Sequence, residues 1–152
     1  MDVNLSYKIE QLYQMLRTLD DANKLYTKKC GSLDAKNTEE YAIILSIRDS
    51  VIKRLEYCVD GFWKVIKLYM ETVLAIPIEE NGPKPITRTA ALRKVISEDE
   101  AKKLIDMILE RNKTSHFYRE EIADEVAKHA PRAHAIMLSI LDRLHQNALV
   151  KS

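Results

Sequence analysis

Glycine and proline are scarce, at three and four residues in 152. A sheet protein of this length needs more turn residues, so the shortage excludes a strand-and-turn architecture and points to long helices. Cysteine is scarcer still. Cys30 and Cys58 lack the paired spacing of a metal or redox motif, and Cys58 falls on an apolar stripe, a core position. Neither sign of charge dominates. A net charge of +1 gives no global attraction to nucleic acid, so any basic surface must be local. No apolar run is long enough to span a bilayer, and the opening MDVNLSYKIE lacks a signal-peptide pattern. A cytoplasmic protein with no membrane partner is expected. There is no glycine-rich phosphate loop and no serine in a nucleophile elbow. The histidines His116, His129, His134 and His145 lack metal-ligand spacing, so neither a metal site nor a cofactor is expected. His129 and His134 flank Pro131 and read as surface groups.

What the chain does have is periodicity. Hydrophobic residues make up 46% and charged residues 31%, a balance that fits a folded domain with one real core, spanning residues 1–152. Leu5, Ile9, Leu12, Leu16, Leu19 and Tyr26 recur at helical spacing and predict a helix over roughly Ser6 to Lys29, with Gly31 as its C-cap and 31–37 as a polar connection. Thr38, followed by Glu39 and Glu40, opens a second helix running to Ala75. It carries two adjacent apolar stripes. One is Ile44, Val51, Leu55, Cys58, Phe62, Val65 and Tyr69; the other is Leu45, Ile52, Val59, Trp63, Ile66 and Met70. Two stripes imply burial against more than one neighbour. A helix of about 55 Å exceeds a compact domain, which implies that part of it packs on another chain. Gly61 within it marks either a close approach or a tolerated weak point.

Pro77, Asn81-Gly82-Pro83 and Pro85 form the clearest loop, and Thr87 to Val95 reads as a short helix. Ser97-Glu98-Asp99-Glu100 is a capping box opening a helix whose buried face is Ala101, Leu104, Ile105, Ile108 and Leu109. Glu120 to Leu149 is helical again, kinked or restarted at Pro131, with Ala133, Ile136, Met137, Ile140, Leu141 and Leu144 facing inward. The expected fold is all-α: an up-and-down four-helix bundle with a short extra helix, dimerising through long helices.

Residues 111–118 read RNKTSHFY. One reading is a polar helix–helix connection, with Asn112 as a C-cap, Thr114 or Ser115 as the next N-cap, and Arg111 favouring the helix dipole. The other is a site. His116 can give or take a proton near neutral pH, and Arg111 can grip phosphate oxygens bidentately. Together they suit metal-independent phosphodiester cleavage, with Arg111 stabilising the charge of a five-coordinate phosphorus and Tyr118 positioning a phosphate or base. On one unbroken helix, however, residues five apart point about 140° away from each other. The site therefore requires the helix to end near Asn112–Thr114, or a second subunit to complete it. Between Lys84 and Arg119, nine basic residues face five acids, a local excess compatible with an anionic ligand. Arg48, Asp49, Arg54 and Glu56 read either as an ion-pair network in the bundle or as flanks of the cleft.

The arginine, four residues, histidine, one residue, tyrosine pattern of RNKTSHFY resembles the signature of the HEPN superfamily. More specifically, it is similar to the nucleotidyltransferase substrate-binding protein branch, with its Arg-Asn-x-Thr-Ser-His-x-Tyr segment. A second block, RDSVIKRLEYCVDGFWKVIKLYME over residues 48–71, resembles the long-helix pattern of the same branch. The resemblance covers about residues 5–148. It departs at Asp60-Gly61-Phe62, where the branch often has Glu-Leu before its tryptophan, and in the segment between the long helix and the capping box, which looks shorter. The resemblance implies a homodimer working beside a separate small nucleotidyltransferase chain, with RNA or a nucleotide as substrate. It implies Arg111 and His116 as catalytic positions and Asn112, Lys113, Ser115 and Tyr118 as substrate-binding ones. In the wider superfamily the arginine and histidine form an RNase site at the dimer interface, often in a toxin. In some pairs the partner acts as antitoxin and adenylylates a tyrosine at the position of Tyr118. In this branch the implied role is instead to hold substrate for the transferase. The chain is not itself the transferase: Gly31-Ser32 has no Asp-x-Asp or Asp-x-Glu pair at a sensible distance, and Glu98-x-Glu100 belongs to the capping box. Three functions follow: a binding subunit of a two-component nucleotidyltransferase system, an endoribonuclease toxin neutralised by the same partner, or a purely structural helical dimer.

Overall fold

The structure, a computed structural model, describes residues 1–31, 38–116 and 119–151, with the side chains of Ser115 and His116 excepted. Five helices follow one another: α1 (Val3–Gly31), α2 (Thr38–Thr72), α3 (Pro83–Leu92), α4 (Glu98–His116) and α5 (Glu120–Val150). No strand occurs among the described residues. The cross-helix contacts give the directions. Gly61 of α2 meets Leu12 and Met15 of α1. Arg111 of α4 meets Asp60 of α2, and Tyr13 of α1 meets Asp142 of α5. Arg143 of α5 meets Glu100 of α4. Successive long helices therefore run up, down, up and down, and α3 packs between α2 and α4.

α1 begins earlier than its apolar stripe suggests because Asp2 caps it, accepting the Leu5 N–H at 2.9 Å. Leu5, Ile9, Leu12, Leu16 and Leu19 are all buried, each contributing about 2 kcal/mol of apolar burial. Gly31 is the last helical residue and does not take the left-handed angle of a glycine C-cap. The connection expected after it falls at 32–37, outside the described residues. Both stripes of α2 are used. Every member of the first is buried, whereas in the second Leu45, Ile52 and Trp63 are only half-buried. α2 stops at Thr72, short of Ala75. There the backbone turns left-handed at Ala75, the Ile76 N–H bonds to the Met70 carbonyl at 2.9 Å, and Pro77 follows. Gly61 is a close-approach point: a Cβ there would lie 2.7 Å from Met15 Cε.

The short helix lies upstream of its expected place. It covers Pro83–Leu92 rather than Thr87–Val95, because Pro83 and Pro85 occupy the first turn, where proline lacks nothing the helix needs. Two residues that read as breakers act as starters. Its far end is a Schellman motif: the Val95 N–H bonds to the Ala90 carbonyl (2.8 Å), the Lys94 N–H to that of Ala91 (3.0 Å), and Lys94 takes a left-handed backbone. The capping box is formed reciprocally, Ser97 N–H to Glu100 Oε1 at 2.8 Å and Glu100 N–H to Ser97 Oγ at 3.0 Å. On α4, Leu109 is exposed rather than inward, and Ile105 is half-buried. α5 runs unbroken through Pro131 and does not restart there. One apolar core draws on all five helices.

Candidate functional site

α4 stays helical through His116, so no end falls near Asn112–Thr114 and Asn112 is not a C-cap. Positions 111 and 116 are therefore about 140° apart around one helix axis. Asn112 is half-buried and Lys113 is exposed. The side chains of Ser115 and His116, and all of Tyr118, lie outside the described residues.

Arg111 turns onto α2. Its Nε donates to Asp60 Oδ1 at 3.1 Å and its second guanidinium nitrogen to Asp60 Oδ2 at 3.0 Å, a bidentate pair. The Asp60 hydrogen bonds raise the Arg111 pKa against the opposing pull of burial. One turn on, Thr114 Oγ1 lies 3.0 Å from Glu56 Oε1 and 2.8 Å from the Arg111 carbonyl. The face of α4 that precedes the connection is thus fastened to α2 by Asp60 and Glu56. Asp60 carries no role in the sequence pattern, where it marks only a departure from the family. Its position, offset from Glu56 by four residues on α2 and facing a basic residue on an antiparallel helix, needs the packing register to be known.

Beside this contact lies a cavity of about 140 Å³. Ile52 and Ile122 form apolar walls, and Asp49, Lys53, Glu56, Thr114 and Arg119 bring charge and a hydroxyl to its rim. Two acids and two bases balance there. Glu56 also meets Lys53 Nζ at 3.4 Å.

Arg48 is fully buried under the same end of the bundle. It binds Asp49 (3.1 Å), Asp124 (2.9 Å) and Glu120 (2.5 Å), tying the first turns of α5 to α2. Burial works against its charge, and the carboxylates of Glu120, Asp124 and Asp49 more than offset that effect. Tyr26 faces the same cluster, and burial followed by a hydrogen bond to Cys30 pushes its phenol up to about 12. The four residues with two readings therefore divide. Arg48 is the centre of an ion-pair network, Glu56 flanks the cleft, and Asp49 does both. Arg54 instead donates to Ser50 Oγ at 3.0 Å. Cys58 is core, its thiol pushed up to about 12 by burial. His129 is a partly exposed group, but not an isolated one: its Nδ1 lies 2.7 Å from Glu110 Oε1.

An all-α up-and-down bundle with a charged groove where its fourth helix gives way to its fifth is the class of protein this is. The profile of the family described as nucleotidyltransferase substrate binding protein like matches residues 7–146, and the chain belongs to that family. A crystal structure of a protein from Thermus thermophilus is similar at 26% identity and a TM-score of 0.67, covering 88% of this chain and 98% of that one. No curated protein matches the chain. Among the described residues, no helix is long and apolar enough to cross a membrane.

Proposed function

We propose that this chain is the HEPN-type subunit of a two-component nucleotidyltransferase system. As one helical domain it docks a small transferase chain and holds that chain's nucleotide or nucleic-acid substrate, without cutting RNA itself. The observation that carries this reading is the Arg111–Asp60 pair. The side-on fork of the guanidinium, Nε and one terminal nitrogen, is bound to a carboxylate. The adjoining groove is charge-balanced and apolar-walled, which suits the contact with the transferase chain, while the exposed Lys113, outside that groove, is the cation this reading assigns to the substrate's phosphate. Docking is tested by reading the neighbouring open reading frames for a small transferase of the Gly-Ser…Asp-x-Asp type and co-expressing it with the chain. A complex stable to gel filtration is expected, and separate elution of the two chains would refute it.

The second reading, a metal-independent RNase using Arg111 and His116 with the transferase as antitoxin, is favoured by one feature. Asp60 is 41% exposed, so an incoming phosphate can exchange for it. Because α4 is unbroken, that site needs His116 from a second copy. The two readings separate when freshly purified protein of confirmed unmodified mass is incubated with mixed RNA in EDTA, beside His116→Ala. No cutting is expected. Cutting by the wild type alone, with cyclic phosphate ends, would establish the RNase.

Both readings use a homodimer. The first turns of α2 run about 15 Å past its contact with the start of α5 at Arg48. On that overhang Tyr41 and Ile43 are each 48% exposed, and Ala42, Ile43 and Ile47 share one face. We assign this face to pairing with a second copy.

A further inference from the structure

About 100° around α4 from Arg111, three side chains converge. Glu110 comes from α4, while Glu125 and His129 come from α5, one helical turn apart on the same face. One ligand atom from each lies within 4.8 Å of the others. We propose that these residues bind a borderline divalent cation of the zinc type, clamping α4 to α5 next to the 111–118 segment.

The donor set has the required chemistry. One imidazole nitrogen and two carboxylates suit zinc, with water as the fourth ligand, whereas magnesium and calcium prefer oxygen alone. Two carboxylate ligands balance the charge of a divalent cation. Among the described residues no lysine or arginine forms an ion pair with Glu110 or Glu125; the side chain that Glu110 meets is the His129 ring. Two carboxylates and an imidazole thus converge, while Lys103 and Arg132, which line the adjoining cavity, form no ion pair with either carboxylate. The cluster spans two helices and is not a surface row of acids: the Glu110 side chain is only 23% exposed. A cavity of about 260 Å³, lined by Glu110 and His129, leaves room for the water ligand.

The distances are within reach of side-chain rotation. Zinc bonds of about 2.0–2.1 Å set tetrahedral ligands roughly 3.3 Å apart. The 2.7 Å contact between His129 and Glu110 therefore opens slightly, and Glu125 swings in. Neither helix has to move. This cation site is independent of the function assigned above.

The test is zinc binding by equilibrium dialysis against the metal-stripped full chain, in a Cys30→Ser background, since Cys30 is an exposed thiol. One zinc per chain, saturable, is expected. Loss of a residue that only orients a metal ligand weakens metal sites about 10–100-fold, so loss of a ligand itself, in His129→Ala, should weaken binding by at least ~100-fold. Glu125→Gln, at an exposed position, should also weaken it while leaving the fold intact. Zinc should raise the thermal midpoint of the parent and leave that of His129→Ala unchanged. Absence of saturable binding in the Cys30→Ser background, or equal binding by parent and both variants, would overturn the proposal.

Discussion

Arg48 keeps its charge inside the bundle by drawing carboxylates to it from two helices. Those carboxylates are half-exposed or more, so they retain much of their own hydration, and the desolvation cost falls mainly on the arginine. Such a network specifies how α5 enters the bundle more than it adds stability. Lys94 bears a different local cost. It holds the left-handed position of the Schellman motif at φ 60°, which costs a side-chain-bearing residue about 1 kcal/mol and glycine almost nothing. Lys94→Gly is expected to stabilise the protein by roughly 0.5–1 kcal/mol, read as a higher urea midpoint at unchanged slope. A lower midpoint would show that the lysine side chain makes a contact worth more than the strain.

The start of α4 is fixed twice, once by its capping box and once by Arg143 of α5. Arg143 reaches Glu100 with two nitrogens, at 2.9 and 3.0 Å, and touches the Val95 carbonyl at 3.3 Å. The hydrogen bond from Arg143 is the largest influence holding the Glu100 carboxyl below its ordinary value of 4.5. A depressed carboxylate stabilises the fold above its unfolded pKa and loses that contribution as pH falls through the folded one. Arg143→Gln should therefore cost about 0.5–1 kcal/mol near pH 7, a modest amount because Arg143 is 41% exposed. The gap between wild type and variant should close as pH drops below 4.5. A gap unchanged down to about pH 3 would mean that Arg143 acts through packing and not through charge.

The pairing of two copies proposed above uses the overhang of α2. Its stripes account for burial within one chain only from Ile44 onward, and Tyr41, Ile43 and Tyr57 remain exposed on its outer side. If a second copy covers the overhang, Ile43→Glu together with Ile47→Glu should turn a dimer into a monomer in sedimentation, leaving the helical content unchanged. A wild type that sediments as a monomer at all concentrations would remove the homodimer, and with it the two-copy RNase site.

Periodicity alone identified the long helices and most of their buried faces, because a 3.6-residue repeat of apolar side chains survives whatever the helix packs against. The capping box was equally legible, being a contact within four residues. RNKTSHFY and the 48–71 block pointed to the family that the profile confirms. Local energetics decided what those patterns left open. Pro83 starts a helix instead of breaking one, and Leu109 turns outward although its stripe suggests otherwise. The partners of Arg111 and His129 were beyond reach, because Asp60–Arg111 and Glu110–His129 are 51 and 19 residues apart. Such contacts exist only once antiparallel helices have settled their register, and register is set by how whole faces interlock, a property no short stretch of the chain carries.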